Sequence, residues 1–294
     1  MLPFYKLNKP EYLLRPKQLI KRLFNKSEPG RLCTCILPWG SPILINPSEV
    51  VGKSIDHLGL YELATTELLS RLLISCDEFV DIGANIGYFS LVALGSPNFN
   101  GAIHAFEPHP KIFERLGHNI LLQEKASRIQ RYNLGLSTQD SQMDLYIPED
   151  FDKNEGVASL EKPEGKHTKI TVDVKRLDGI LALDKKYILK IDTEGHETSV
   201  LKGASKLFDA SAINAVFFEE FADPNQAESF NFLRSYGFEI FRIERSFFGP
   251  KLNDPTSQQS GRVWEPVNYL AVKPSVIGRS GLYSSGWSVL SLND

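Results

Sequence analysis

The spacing of apolar and polar positions changes period repeatedly along this chain, and each change marks an element. Leu63, Leu68, Leu69, Leu72 and Leu73 recur at helical spacing between Tyr61 and Leu73. Phe79, Val80 and Ile82 then form a short apolar, β-favouring run, Gly83 to Gly87 read as a turn, and Tyr88 to Leu94 return to the spacing of a buried helix. The rhythm continues with Ala102 to Glu107 as a strand, Lys111 to Gln123 as a helix and Ile129 to Leu134 as a strand. Tyr187 to Asp192 predicts another strand, followed by a helix through Val200, Leu201 and Leu207. Ile213 to Glu220 (strand), Glu228 to Tyr236 (helix), Phe238 to Ile243 (strand) and Asn268 to Val272 (strand) complete the series. Strands alternating with helices predict an α/β fold whose mainly parallel sheet is covered on both faces.

Four stretches depart from that rhythm. In the first thirty or so residues Lys6, Lys9, Arg15, Lys17, Lys21, Arg22, Lys26 and Arg31 outnumber Glu11 and Glu28, while Leu19, Ile20, Leu23 and Phe24 recur at helical spacing. That is either a basic amphipathic helix in weak peripheral contact with an anionic membrane or an ordinary helix packed on the domain. Residues 31–60 alternate apolar segments with turn signals, a hairpin pattern. Met143 to Ile147 and Ile170 to Val174, around the polar segment Pro148 to Thr168, predict a β-hairpin inserted on the main sheet. Ser275 to Asp294, rich in Ser and Gly, is expected to be poorly ordered. The division is thus an N-terminal extension over 1–60, one domain over 61–274 with its insert at 140–176, and a tail over 275–294.

Composition narrows the class only a little. A chain of 294 residues with a formal net charge of -3 gives no global electrostatic case for a nucleic-acid partner. Cys33, Cys35 and Cys76 make neither an even disulfide framework nor a zinc ligand set, which favours a reducing compartment. With no long apolar stretch at the start and none able to span a bilayer, a cytoplasmic location is expected.

The candidate chemistry centres on Asp81-Ile-Gly83-Ala84-Asn85-Ile-Gly87. A backbone bare at Gly83 and Gly87 can approach a ligand, and the amides of the following helix can hold an anionic group. Glu107, after Phe106 and before Pro108, ends the next strand about two dozen residues on, the place from which a carboxylate accepts hydrogen bonds from a ribose diol. Asn133 and Leu134 end the third strand beside the same crevice and can flank a purine. The turn lacks the middle glycine of G-x-G-x-x-G, and no G-x-x-x-x-G-K-[ST] occurs. An acid followed by D-x-G-x-x-x-G suits S-adenosylmethionine, with Asp81 toward its ammonium, directly or through water, and Glu107 on its ribose.

Val80 to Leu91, Phe106-Glu-Pro-His-Pro110, Arg176-Leu-Asp178 and the run Lys190-Ile-Asp-Thr-Glu-Gly-His-Glu onward to Ala204 together resemble the FkbM-type methyltransferase family. The resemblance covers about Tyr61 to Glu220 and implies a class I, Rossmann-like, doubly wound fold with its last strand antiparallel. It also implies an S-adenosylmethionine-dependent enzyme, mostly thought to methylate hydroxyl groups, with Asp81, Gly83, Asn85 and Glu107 at the cofactor and Asp192 and Glu194 near the reacting methyl group.

A hydroxyl acceptor must lose a proton, and a positioned base is worth roughly a hundredfold to ten-thousandfold. Asp192, Glu194 and His196 after the fourth strand are candidates, with Glu219 and Glu220 at the end of the fifth; the catalytic set taken forward is Asp192, Glu194, His196 and Glu220. His196 and Asp192 sit at a helix start, where capping is a competing role. Asp192 with another carboxylate can hold magnesium, but nothing in the spacing requires it and no metal is assigned. The acceptor is expected to be a small molecule or glycan, enclosed by the Pro148 to Thr168 and Ser246 to Arg262 loops with Phe247, Phe248 and Trp264. Competing readings are a non-catalytic S-adenosylmethionine-binding or scaffold module and a nicotinamide-dinucleotide oxidoreductase.

Overall fold

The computed structural model describes residues 10–16, 18, 31–149, 151, 156–163, 165–257, 267–278 and 280–290. In chain order the strands are β1 (Cys33–Ile36), β2 (Pro42–Ile45), β3 (Glu78–Ile82), β4 (Ile103–Phe106), β5 (Ile129–Tyr132), β6 (Gly135–Leu136), β7 (Ser141–Pro148), β8 (His167–Lys175), β9 (Tyr187–Ile191), β10 (Ile213–Glu219), β11 (Glu239–Arg245), β12 (Pro250–Asn253) and β13 (Asn268–Val272). The helices are α1 (Pro10–Leu14), α2 (Val50–Leu58), α3 (Leu63–Leu72), α4 (Tyr88–Gly95), α5 (Pro110–Leu121), α6 (Glu197–Gly203), α7 (Ser205–Asp209), α8 (Glu228–Ser235) and α9 (Pro274–Ile277).

An eight-stranded sheet in the order β12-β11-β13-β10-β9-β3-β4-β5 forms the centre. From β10 across to β5 the neighbours are parallel, while β13 runs antiparallel to both β10 and β11. This is the doubly wound class I architecture that the resemblance implies, with the last strand reversed. Every residue of β9 is buried, which follows from helices covering both faces. Alternate residues feed two cores. Phe79, Ile188 and Phe217 pack with Leu68, Leu72 and Leu91, whereas Val80, Leu189 and Val216 pack with Val200, Leu207 and Phe230. The chain leaves β3 toward β4 on one side and reaches β9 and β10 on the other, so a crevice opens beyond the carboxyl ends of β3 and β9.

The structure departs from the sequence expectations in several places. The inserted hairpin does not join the main sheet. Instead β7 and β8 form a three-stranded sheet with β6, because the segment leaving β5 supplies Gly135 and Leu136 as a parallel partner for Val174 and Lys175. The β1–β2 hairpin shares the main core rather than standing apart: Cys35, Ile43 and Ile45 are buried in it, and Asn119 Nδ2 donates to the Leu44 carbonyl. Helix α2 went unanticipated between Asn46-Pro-Ser and Gly59, and the helix expected through Leu207 is divided into α6 and α7. The described residues of that loop, Ser246 to Ser257 with Phe247 and Phe248 among them, do not line the crevice; β12 adds an edge strand to β11.

Described residues of the tail are packed, not loose. Leu282, Trp287, Val289 and Leu290 are buried, Glu67 accepts from Ser288 Oγ and Val289 N, and Arg71 donates to the carbonyls of Ser284 and Gly286. The apolar positions Leu19, Ile20, Leu23 and Phe24 of the expected basic helix, and Trp264, lie outside the described residues. Among the described residues no helix is long and apolar enough to cross a membrane.

Candidate active site

The carboxyl ends of β3, β4, β9 and β10 border one cavity of about 390 Å³, within the range of ligand pockets. Gly83, Ala84, Asn85, Phe106, Glu107, Pro108 and Leu134 line one part of it, and Asp192, Thr193, Glu194, Glu219 and Phe221 another. Val50, Val51 and Tyr61 reach it from the N-terminal side, and Gly156, Val157, Ala158 and Leu160 from the β7–β8 connection.

In the first part the glycine turn is organised by its own protein. Gly83 has φ +73, and a Cβ there would lie 1.8 Å from the Asp192 carbonyl, so the bare position lets the ends of β3 and β9 touch. The Gly83 and Ala84 amides donate to the Phe106 carbonyl, and Gly87 N donates to the Ala84 carbonyl. Asn85 N and His109 N each donate to one Glu107 oxygen at 2.9 Å. With these amides engaged the turn is no phosphate cradle, whereas the Glu107 carboxylate is aimed at the cavity with lone pairs to offer a diol. Burial pushes Glu107 up to about 7 against the opposing pull of the His109 and Asn85 amides.

The second part is a cluster of acids around one buried ammonium. Lys190 Nζ lies 3.2 Å from Asp192 Oδ2 and 5.2 Å from the Phe89 ring centre. Burial alone would lower Lys190, but Asp192, Glu62 and Glu219 hold it above the usual lysine range. Burial, then the nearby Asp192 charge, push Glu219 up to about 9, and burial, Asp192 and Glu197 push Glu194 up to about 7. Glu62, whose oxygens are shielded from solvent, is raised chiefly by burial.

The sequence candidates divide accordingly. Asp192 and Glu194 face the cavity together with Gly83, Ala84, Asn85, Phe106, Glu107, Pro108 and Leu134. Asp81 lies behind the turn, 1% exposed, its Oδ2 accepting from Ser90 Oγ at 2.6 Å; burial pushes it up to about 6. Gly87 and Asn133 are outside the lining, and Asn133 Nδ2 donates to the Glu107 and Pro108 carbonyls, holding the acid's backbone. His196 is also outside it, buried between Glu161 and Ser137. Glu220 points to the opposite side, accepting from Ser229 Oγ and Ala222 N, because neighbouring strand residues face apart and Glu219 takes the cavity side. Neither Lys190 nor Glu62 was in the sequence-based set; a lysine in the apolar strand Tyr187 to Ile191 was the readable signal, and Glu62 had none. Outside the lining, Cys33, Cys35 and Asp56 place ligand-type atoms within 4.8 Å of one another, a grouping invisible to the spacing.

A profile described as the Methyltransferase FkbM domain matches residues 81–240, more than half the chain. The chain belongs to this family. Among relatives of this FkbM-domain protein, Methyltransferase sdnD of Sordaria araneosa is 30% identical over 156 residues, covering 43% of this chain and 60% of its own. The hexuronic acid methyltransferase AglP of Haloferax volcanii is 28% identical over 183 residues, covering 60% of this chain and 72% of its own. The chain thus spans about 60% of the length of the first relative it matches. The solved Methyltransferase FkbM of Methylobacillus flagellatus has 18% identity and a TM-score of 0.41, over 66% of this chain and 43% of that one.

Proposed function

We propose that this FkbM-domain chain transfers a methyl group from S-adenosylmethionine to a hydroxyl of a small molecule or carbohydrate. The observation that carries the reading is the division of one cavity between Glu107, fixed by two amides, and the Asp192, Glu194 and Glu219 carboxylates around Lys190. Glu107 would hold the cofactor's ribose diol, and Leu134 would flank its base. When bound, S-adenosylmethionine supplies a methyl group on a sulfonium that departs as a neutral thioether.

The chain's own work is to orient the acceptor, exclude water and receive its proton. Asp192, kept beside the Lys190 ammonium, is the partly exposed carboxylate best placed as the base. Glu219, which burial and the neighbouring Asp192 charge push toward its protonated form, is placed to donate a hydrogen bond to an acceptor oxygen. Similarity to a hexuronic acid methyltransferase supports a carbohydrate acceptor in general terms.

The test is incubation with labelled S-adenosylmethionine and metabolite or glycan extracts, with products identified by mass spectrometry. Label that resists mild alkali is expected for an ether. Alkali-labile label would mean a carboxyl acceptor, and failure of the pure protein to bind the cofactor in calorimetry would remove the cofactor reading itself.

A further inference from the structure

His196, left without a part in the chemistry, is where three separate segments meet. It is 3% exposed, with Nδ1 2.7 Å from Glu161 Oε1 and Nε2 2.9 Å from Ser137 Oγ. A neutral imidazole satisfies both at once, donating through Nδ1 to the carboxylate and accepting at Nε2 from the hydroxyl. Ser137 follows β6, Glu161 belongs to the β7–β8 connection, and His196 precedes α6. Gly203 of α6 lets that helix approach the same place, since a Cβ there would lie 2.1 Å from the Ser137 carbonyl.

Two residues before Glu161, Ser159 Oγ donates to the Glu194 carbonyl at 2.7 Å. Its hydroxyl is oriented by Glu161 N, which donates to Ser159 Oγ at 3.0 Å. Ser159 is itself anchored on β7, exchanging both backbone hydrogen bonds with Tyr146. From the other side Glu197 Oε1 accepts from Thr193 N, Thr193 Oγ1 and Gly195 N. The turn so gripped has left-handed backbone at Glu194, φ 52, and Gly195, φ 100. A non-glycine residue in that region is strained and persists where its surroundings over-determine it. Glu194 faces the cavity, and Gly156, Val157, Ala158 and Leu160 of the gripping connection form part of the wall.

We propose that Ser137, Ser159, Glu161 and His196 are positioning residues that hold the Thr193–Gly195 turn in its left-handed form, so fixing the Glu194 carboxylate at the acceptor end and the β7–β8 connection as the cavity wall. Calling that end the acceptor's rests on the methyl-transfer reading, but the positioning itself does not.

The test therefore uses readouts free of turnover: amide hydrogen exchange over 156–163 and 193–197, and a carbon-13 carboxyl titration of Glu194 assigned with Glu194→Gln. In the intact chain Glu194 faces Asp192, Glu197 and Lys190, and its burial places the midpoint near 7. Ser159→Ala and Glu161→Ala are expected to speed exchange in both segments at least tenfold and to move the midpoint toward an ordinary glutamate. Glu161→Gln, which keeps an acceptor for the imidazole on a side chain 57% exposed, restores the wild-type behaviour. Unchanged exchange and midpoint in both alanine variants would overturn the positioning role, as would equal loss in Glu161→Gln and Glu161→Ala. Absence of any methylated product would instead remove the methyl-transfer reading and leave these measurements standing.

Discussion

At the residue scale the cofactor part of the cavity depends on Glu107. Its carboxylate orders the Asn85 and His109 amides and faces the cavity, so removing it leaves two donors unmet and, on the proposed reading, loses the ribose diol contact as well. Hydrogen bonds to a charged group contribute about 1.5–3 kcal/mol each, so Glu107→Ala is expected to weaken S-adenosylmethionine binding by about tenfold to a hundredfold or more in calorimetry. A change below threefold would take the ribose role from it. This residue was legible in the sequence because a strand end, a proline stop and the distance from a glycine turn are all local signals. Lys190 was half legible, as a charge inside an apolar strand. Glu62 was not legible, since nothing at the start of α3 announces that its carboxylate will act on Lys190, more than a hundred residues away in the chain. Glycine at Gly83 was visible while its reason was not: the close neighbour is the Asp192 carbonyl, more than a hundred residues away in the chain.

At the element scale, parity along a strand decides which of two adjacent acids can act. Phe217 and Glu219 share one face of β10 and Phe218 takes the other; Glu220, the next residue after the strand, turns to Ser229, and of the two acids Glu219 reaches the cavity. Glu219→Gln is accordingly expected to lower kcat by about tenfold or more, on the scale of a positioned proton-bearing group, with Glu220→Gln near wild type. The reverse order in a steady-state comparison would refute the assignment. Periodicity predicted both acids at the strand end but not its exact register, and one residue of register exchanges the two faces.

The C-terminal segment shows the same limit. A Ser and Gly-rich composition suggested a loose tail, yet Leu282, Trp287, Val289 and Leu290 are buried and capped by Glu67 and Arg71 from α3. Each buried side chain of this size contributes about 1.5–3 kcal/mol, and truncation before Ser280 would also leave Glu67 with a buried carboxylate short of donors. Thermal unfolding of that truncation is expected at least about 5 °C lower. An unchanged Tm would mean that the segment is not part of the folded unit.

At the scale of the whole molecule, the acids that build the cavity set how its stability responds to pH. Asp81 rises from 3.8 to about 6, Glu107 and Glu194 from 4.5 to about 7, and Glu219 from 4.5 to about 9, burial being the largest cause in each. A carboxyl with a raised folded-state pKa binds more protons folded than unfolded between the two values. Its contribution is therefore fully present below the unfolded pKa and lost as pH rises through the folded one. For these groups together the window runs from about pH 4 to about pH 9, and Lys190, raised rather than lowered, does not offset the loss within it. The ligand-free protein should thus become less stable from pH 5.5 to pH 9, with a Tm lower by several degrees at the alkaline end. S-adenosylmethionine, which brings a positive sulfonium toward these carboxylates, should flatten the slope, and S-adenosylhomocysteine, without that charge, should flatten it less. Glu219→Gln, which cannot ionise, should raise the Tm at pH 9 above that of the parent chain. Differential scanning fluorimetry across that range, with and without each ligand, is decisive. A ligand-free Tm that rises with pH, or a Glu219→Gln variant no more stable at pH 9, would show that the cavity acids are already ionised and that the cluster is not held in check by its own burial.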